Sequence, residues 1–409
     1  MNGRFEEFFH ARTLTFADLR VPETSKQIAK RMRELHDGIE LLERERDDGP
    51  FIWRNWDKWV DKCEEIITWL DHQILSCKQG PARTRSEQWK DRGLICGVEW
   101  STFRRTVERY RKWLDDQYGG SAGIRQQLVF AHNDVNYNKS HPNLLFVTYF
   151  EQTQYGNLLR LQPSGESPLL LPSNEHKQLI VIDFEYASAN VPGLEFANHF
   201  TEWCYNYHSP ASPYSLDHTN YPSPEEQHRF LKAYVNHQSH HPRPSPYIGT
   251  SSGPSSSISS FMLDSRAPPA QYAEEERKRE EATESEIKRL MLETRIWRVA
   301  NSAQWVAWGI VQAKIPEINT PLSSSVSSPV PTLDSDLLSA EVVDLAQDAR
   351  DKRPEEAGEE EERGEEEFDY LGYAQERAMF FWGDIMQLGL VKQEELPEDV
   401  RARVKVVDH

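Results

Sequence analysis

Two short apolar runs, Leu128-Val129-Phe130-Ala131 and Leu179-Ile180-Val181-Ile182, each stop abruptly on a polar, acidic tripeptide, His132-Asn133-Asp134 and Asp183-Phe184-Glu185. Runs of this length and β-branched content read as buried strands rather than helices. A chain that ends two buried strands on carboxylates is expected to set those acids at neighbouring strand ends, which points to an α+β fold with a polar site at the rim of a small sheet. The bland account is a turn at one tripeptide and a cap at the other, since Asn and Asp favour both. It suffices for either tripeptide alone, but is outweighed by the two together, in this order, after two hydrophobic strands.

Helical spacing dominates elsewhere. Ile28, Met32, Leu35 and Ile39 share a face after a Thr24/Ser25 cap. A second stripe after Asn55 runs Trp56, Trp59, Val60, Cys63, Ile67, Leu70 and Ile74, and a third holds Phe103, Val107, Tyr110 and Trp113. These are core stripes, with no ligand role needed to explain them. Further helices are expected at 195–207, 225–235, 274–315 and from about Tyr370. The Ser/Pro/His-rich stretch 239–273 and the segment 316–367 cannot bury enough apolar surface to offset ordering, and are read as disordered loops. The pair His240-His241 is read as part of the first loop, because no third metal ligand has suitable spacing.

The 409 residues suffice for one large domain or two ordinary ones. Four cysteines with no C-x-x-C pair suit a reducing compartment, and no apolar run is long enough to span a bilayer or serve as a signal core, so a cytoplasmic location is expected. A net charge of -19 argues against nucleic acid as a partner. Residues 355–367 supply -8 of it, in a run read as a solvated loop.

The paired acids suit phosphoryl transfer, in which one carboxylate accepts the proton of a hydroxyl nucleophile and another holds Mg²⁺ against a nucleotide's phosphates. The surrounding text is specific. Val181-Ile182-Asp183-Phe184-Glu185-Tyr186, with Asn190, Glu195, Asn198 and Glu202-Trp203, resembles the signature of the choline/ethanolamine kinase family, with Glu195 where most members carry Asp. His132-Asn133-Asp134 is similar to that family's catalytic triplet, and segments 305–314 and 372–375 resemble its C-terminal motifs.

The resemblance runs from Met1 to about Leu390 and implies a protein-kinase-like α+β fold, mainly the helical C-terminal lobe with a few short strands. It implies ATP and Mg²⁺ as cofactors and choline or ethanolamine as the small-molecule substrate. By the same resemblance Asp134 accepts the proton, His132 and Asn133 shape its loop, and Asp183 and Asn157 hold the metal. Glu6, Arg12, Gln154 and Asp183 would flank ATP. Tyr207, Trp305, Trp308 and Tyr373, with Glu202 and Trp203 close by, would cage the quaternary ammonium. Such a cation has no N–H to donate and is best held by ring faces and a carboxylate.

The chain is accordingly parsed as an interlobe hinge remnant (1–12), a C-lobe core (13–238), a disordered loop (239–273), a helix with the Trp pair (274–315), a second disordered loop (316–367) and a C-terminal helix and tail (368–409). Two departures from the family pattern stand out. The fifth position after Asp134 holds Lys139 instead of Asn, and Gln154-Tyr155-Gly156-Asn157 would complete the motif if 135–152 were removed. That segment of 18 residues begins with Val and ends with Gln, whose codons are compatible with splice signals, so it is read as intron-derived, the alternative being a genuine surface loop. No glycine-rich phosphate loop occurs, and the resemblance places Met1 at the hinge, so little or no kinase activity is expected of these residues alone. Alternatives are an ethanolamine kinase, an aminoglycoside-phosphotransferase-like kinase, and a non-catalytic choline-binding remnant.

Overall fold

Pro22, whose missing N–H is harmless at a first helical position, opens a helix over Pro22–Gly38. In the computed structural model of the protein, the described residues are 10–76, 91–134, 157–163, 165–209, 212–237, 269–313, 315 and 368–409. Those up to Ala313 and from Phe368 belong to one compact unit; the other unit, 314–367, lies outside the described residues except for Ile315. Glu6, Lys139, Gln154, the whole of 135–152, His240-His241 and the acidic run also lie outside them.

In chain order the elements used below are β1 (Ala11–Thr13), α1 (Phe16–Arg20), α2 (Pro22–Gly38), α3 (Glu43–Asp47), α4 (Phe51–Leu75), α5 (Trp100–Gln117), α6 (Ser121–Gln127), β2 (Val129–Ala131), β3 (Leu158–Leu161), β4 (Leu179–Val181), β5 (Ser188–Asn190), α7 (Pro192–Glu202), α8 (Pro224–Asn236), α9 (Pro269–Gln312) and α10 (Tyr370–Gln387). The expected helical stripes are present, with corrected ends. Thr24 and Ser25 lie buried inside α2 instead of capping it, because Pro22 already sets the start, and Ile39 falls past the helix end and is exposed. Asn55 is likewise inside α4, where its amide donates to Gln304 Oε1 (3.3 Å).

The helix expected over 274–315 runs Pro269–Gln312 instead, again with Pro at its first position. Residues 273–286 are mostly charged and largely exposed. Ile287 and Leu290 are buried on one face, and from Trp297 to Ile310 every residue is buried, the behaviour of a helix enclosed on every side. It runs through the centre of the helical layer against α4, α7, α8 and α10.

The strands correct one expectation outright. β2 and β4 are not neighbours: β3 pairs antiparallel with both β1 and β4, while β2 pairs antiparallel with β5 in a separate ribbon, with Phe130 opposite Ala189. The chain leaves β4, turns over Phe184–Ala187 (Ala187 N–H to Phe184 C=O, 3.0 Å) and returns as β5 beside β2. A return that tight makes β5, not β4, the partner of β2. No described helix is long and apolar enough to cross a membrane.

Candidate active site

The two tripeptides meet although their strands do not pair. His132 Nε2 donates to the carbonyl of Ile182 (2.9 Å) and its Nδ1 accepts the N–H of Asp134 (3.3 Å), which together fix the Nε2–H tautomer. Asn157, just before β3, accepts the Ile182 N–H on its backbone carbonyl (3.0 Å). Its side-chain amide donates to the backbone oxygen of Asp134 (2.9 Å) and to Asp134 Oδ2 (3.1 Å). Asp134, Asn157, His132 and the Ile182-Asp183 turn therefore form one cluster, with Asp134 buried and Asp183 exposed.

Asn133 and Asp183 have φ of 64° and 63°, the only non-glycine residues with positive φ among those described. Such conformations strain most side chains, are best tolerated by Asn and Asp, and gather at functional sites. At Asn133 the surroundings over-determine the conformation. Its amide donates to the carbonyl of Tyr186 (2.8 Å), its Oδ1 accepts from Asn190, and its carbonyl accepts from Asn198 Nδ2 (3.1 Å). Phe184 packs edge-on against His132, ring centroids 4.8 Å apart.

Beneath this loop lies Glu195. Its Oε1 accepts the His132 N–H (3.0 Å) and its Oε2 pairs with His36, whose other ring nitrogen meets Tyr234 Oη (2.8 Å). Burial works to raise the pKa of this carboxyl, but His36 and His132 outweigh it and hold it below the ordinary range. Glu195 of α7 thus holds the backbone of the loop at His132.

The expected cage residues come together with one exception. Trp305 and Trp308 stand at 5.3 Å and 79°, Trp308 and Tyr373 at 5.8 Å and 77°, and Tyr207 stacks on Tyr205, which meets Tyr373 at 5.4 Å. Phe368 and Tyr370 lie over Tyr373 and Trp308 at 5.9 and 5.6 Å. The rings are closed on one another, Trp305 and Tyr373 being 1% exposed. Trp203 turns elsewhere: its ring contacts are His199, Phe200 and the guanidinium of Arg20, because it lies past the α7 end on the face toward α1.

Glu202 sits at the base of the cluster, fully buried, but its carboxylate already has partners. Tyr207 Oη donates to Oε2 (2.8 Å) and Arg377 Nη2 to Oε1 (2.9 Å). Arg377, which sequence reasoning missed, donates Nε–H to Tyr373 Oη (3.1 Å) and lies over the rings of Tyr205 and Tyr373 at 4.9 and 5.3 Å. Burial opposes its charge, but Tyr205, Tyr373 and Glu202 keep it protonated. It could have been found as the residue one helical turn after Tyr373. The cluster is wired to the His132-Asn133-Asp134 loop through Trp305, whose indole N–H donates to Asn198 Oδ1 (2.8 Å), the residue that also holds Asn133. Arg12, in β1, forms a bidentate pair with Asp18 (2.7 and 2.9 Å).

The site thus brings together the buried Asp134, held by the Asn157 amide, Asp183 on a left-handed turn, and an aromatic cluster joined through Asn198 to Asn133. A model of the choline/ethanolamine kinase family matches residues 1–382, and the chain belongs to that family. It is similar to a choline kinase of Saccharomyces cerevisiae (28% identical, 97% of this chain and 61% of that one) and to an ethanolamine kinase of the same yeast (24%, 96% and 60%). It thus spans about three fifths of the length of these two relatives. A solved choline kinase structure from Cryptosporidium parvum covers 95% of this chain and 73% of its own length, at 18% identity and a TM-score of 0.43.

Proposed function

We propose that the chain is an ATP-dependent choline kinase in which Asp134 accepts the proton of the alcohol and the aromatic cluster holds its cation. The observation that carries this reading is the Asp134 carboxylate, held by the Asn157 amide, in a loop whose Asn133 carbonyl is joined through Asn198 to Trp305 of the aromatic cluster. Asp134 takes the proton of the choline hydroxyl as its oxygen attacks the γ-phosphorus, the bond to the β-phosphate oxygen breaks, and phosphocholine and ADP leave. Asp183 is exposed, and the Asn157 Nδ2 is spent on Asp134, leaving its Oδ1 as a second hard oxygen donor; these two residues would hold Mg²⁺. When bound, that ion neutralises charge on the phosphates.

The ring cluster favours choline over ethanolamine, because Glu202 already accepts from Tyr207 and Arg377 while the rings need no N–H from the ligand. Phe368 and Tyr370 are the covers that must shift to admit it. The test is transfer of the ATP γ-phosphate to choline, with ethanolamine in parallel. Asp134→Ala is expected to lower turnover by about 10³-fold where transfer occurs. Choline binding, read by tryptophan fluorescence, is expected to survive that substitution and to be lost in Trp308→Ala. Undiminished transfer by Asp134→Ala, or choline binding unaffected in Trp308→Ala, would overturn the assignment.

A further inference from the structure

Away from this site, three donor atoms from three elements meet at one point. Glu34 of α2 places Oε1 at 2.8 Å from Nε2 of His176, in the short helical turn Glu175–Gln178, and at 3.2 Å from Nε2 of His237, the residue that ends α8. All three atoms lie within 4.8 Å of one another, and the imidazole planes are tilted 70° with centroids 4.7 Å apart. Arg31 pairs with the other carboxylate oxygen, Oε2, so it orients Glu34 while leaving Oε1 directed at the histidines. His176 Nδ1 is buried with no hydrogen-bond partner, so the ring is not held in place from behind.

We propose that Glu34, His176 and His237 bind one divalent transition-metal ion of the zinc class, with water completing a tetrahedron. Metal–ligand bonds of about 2.0–2.2 Å set donor atoms roughly 3.4 Å apart in such a site, so small rotations of side chains already in contact would complete it. Two imidazoles and one carboxylate suit zinc or cobalt and not magnesium, which prefers an all-oxygen shell, so the ion is chemically distinct from the one suited to Asp183. The side chains of His176, His237 and Glu34 are 4, 13 and 16% exposed, which encloses the ion but leaves it an approach from solvent. Lys30 and Arg31 oppose the added positive charge and lower the affinity, not the geometry. Bound there, the ion staples α2 to the end of α8 and to the turn leading into β4, the strand that delivers Asp183.

The test uses the whole chain, stripped with chelator and titrated with Co²⁺, whose visible absorption reports tetrahedral coordination. Expected are saturation at one equivalent, displacement by Zn²⁺ and a melting temperature raised by several degrees. His237→Ala and Glu34→Gln are each expected to weaken binding at least about 10-fold with the circular dichroism unchanged. A His240→Ala/His241→Ala chain is expected to bind as the parent does. Absence of the tetrahedral spectrum, its survival in both His237→Ala and Glu34→Gln, or its loss in the His240/His241 variant would overturn the site.

Discussion

Asn133 combines a left-handed backbone with a side chain that no other residue type replaces. Its amide donates to the Tyr186 carbonyl in the turn and the Ser188 carbonyl of the returning strand, while its oxygen accepts from Asn190. Asn133→Ala therefore loses these bonds, strands the Asn190 amide and keeps the strained φ, whereas Asn133→Gly loses the bonds but relieves the backbone. We expect Asn133→Ala to lower stability by about 2–4 kcal/mol and the glycine variant by about 1 kcal/mol less, read from urea unfolding midpoints. Equal losses would show that backbone strain plays no part. The two tripeptides were legible in the sequence because Asn and Asp at the end of an apolar run are local signals. The Asn198–Trp305 link and the His36–Glu195 pair were not, since partners 107 and 159 positions apart leave no local pattern. Arg377 escaped for another reason: by residue type arginine reads as surface, and only its burial against Glu202 reveals its place.

At the scale of elements, the site depends on how closely α7 crosses α9. Gly193, in the first turn of α7, donates its N–H to Glu293 Oε2 (2.9 Å), and a Cβ there would stand 2.4 Å from Glu293 Cγ and 2.8 Å from its backbone carbon. Because the backbone of α9 cannot yield as a flexible side chain would, Gly193→Ala must push apart the helices carrying Glu195, Asn198 and Glu202 on one side and Trp305 on the other. The expected cost is about 1–3 kcal/mol by thermal or urea unfolding. Gly38→Ala, at the end of α2 with no atom within 4 Å of the new Cβ, is the matched control and should be neutral or slightly stabilising. A Gly193→Ala chain as stable as that control would mean the crossing is looser than described. Periodicity revealed α4 and α5 because each has one apolar face. It could not place β1 or β5, which are three residues long, and β5 (Ser-Ala-Asn) has no apolar signature; only its register with β2 defines it.

For the molecule as a whole, the acidic composition suggests stability that falls in acid, yet one buried carboxyl works the other way. Asp71, near the end of α4, accepts the N–H of Trp100 at the start of α5 (3.0 Å), while its Oδ1 is buried with no hydrogen-bond partner. Burial pushes its pKa up from 3.8 to about 6, the Trp100 bond offsetting only part of that effect. A folded-state pKa above the unfolded one means that between these values the native chain binds more protons than the unfolded chain. The contribution of Asp71 is therefore fully present below about pH 4 and is lost as pH rises through about 6. The difference amounts to about 3 kcal/mol at most. Asp71→Asn keeps the shape and an acceptor for Trp100 but cannot ionise, so it should match the parent near pH 4 and exceed it by about 1–3 kcal/mol at pH 8. Subtracting the two unfolding curves across that range cancels every other titrating group, the surface acids included. A difference that stays flat with pH would place the charge of Asp71 in contact with water and remove it as a determinant of how α4 and α5 are held together.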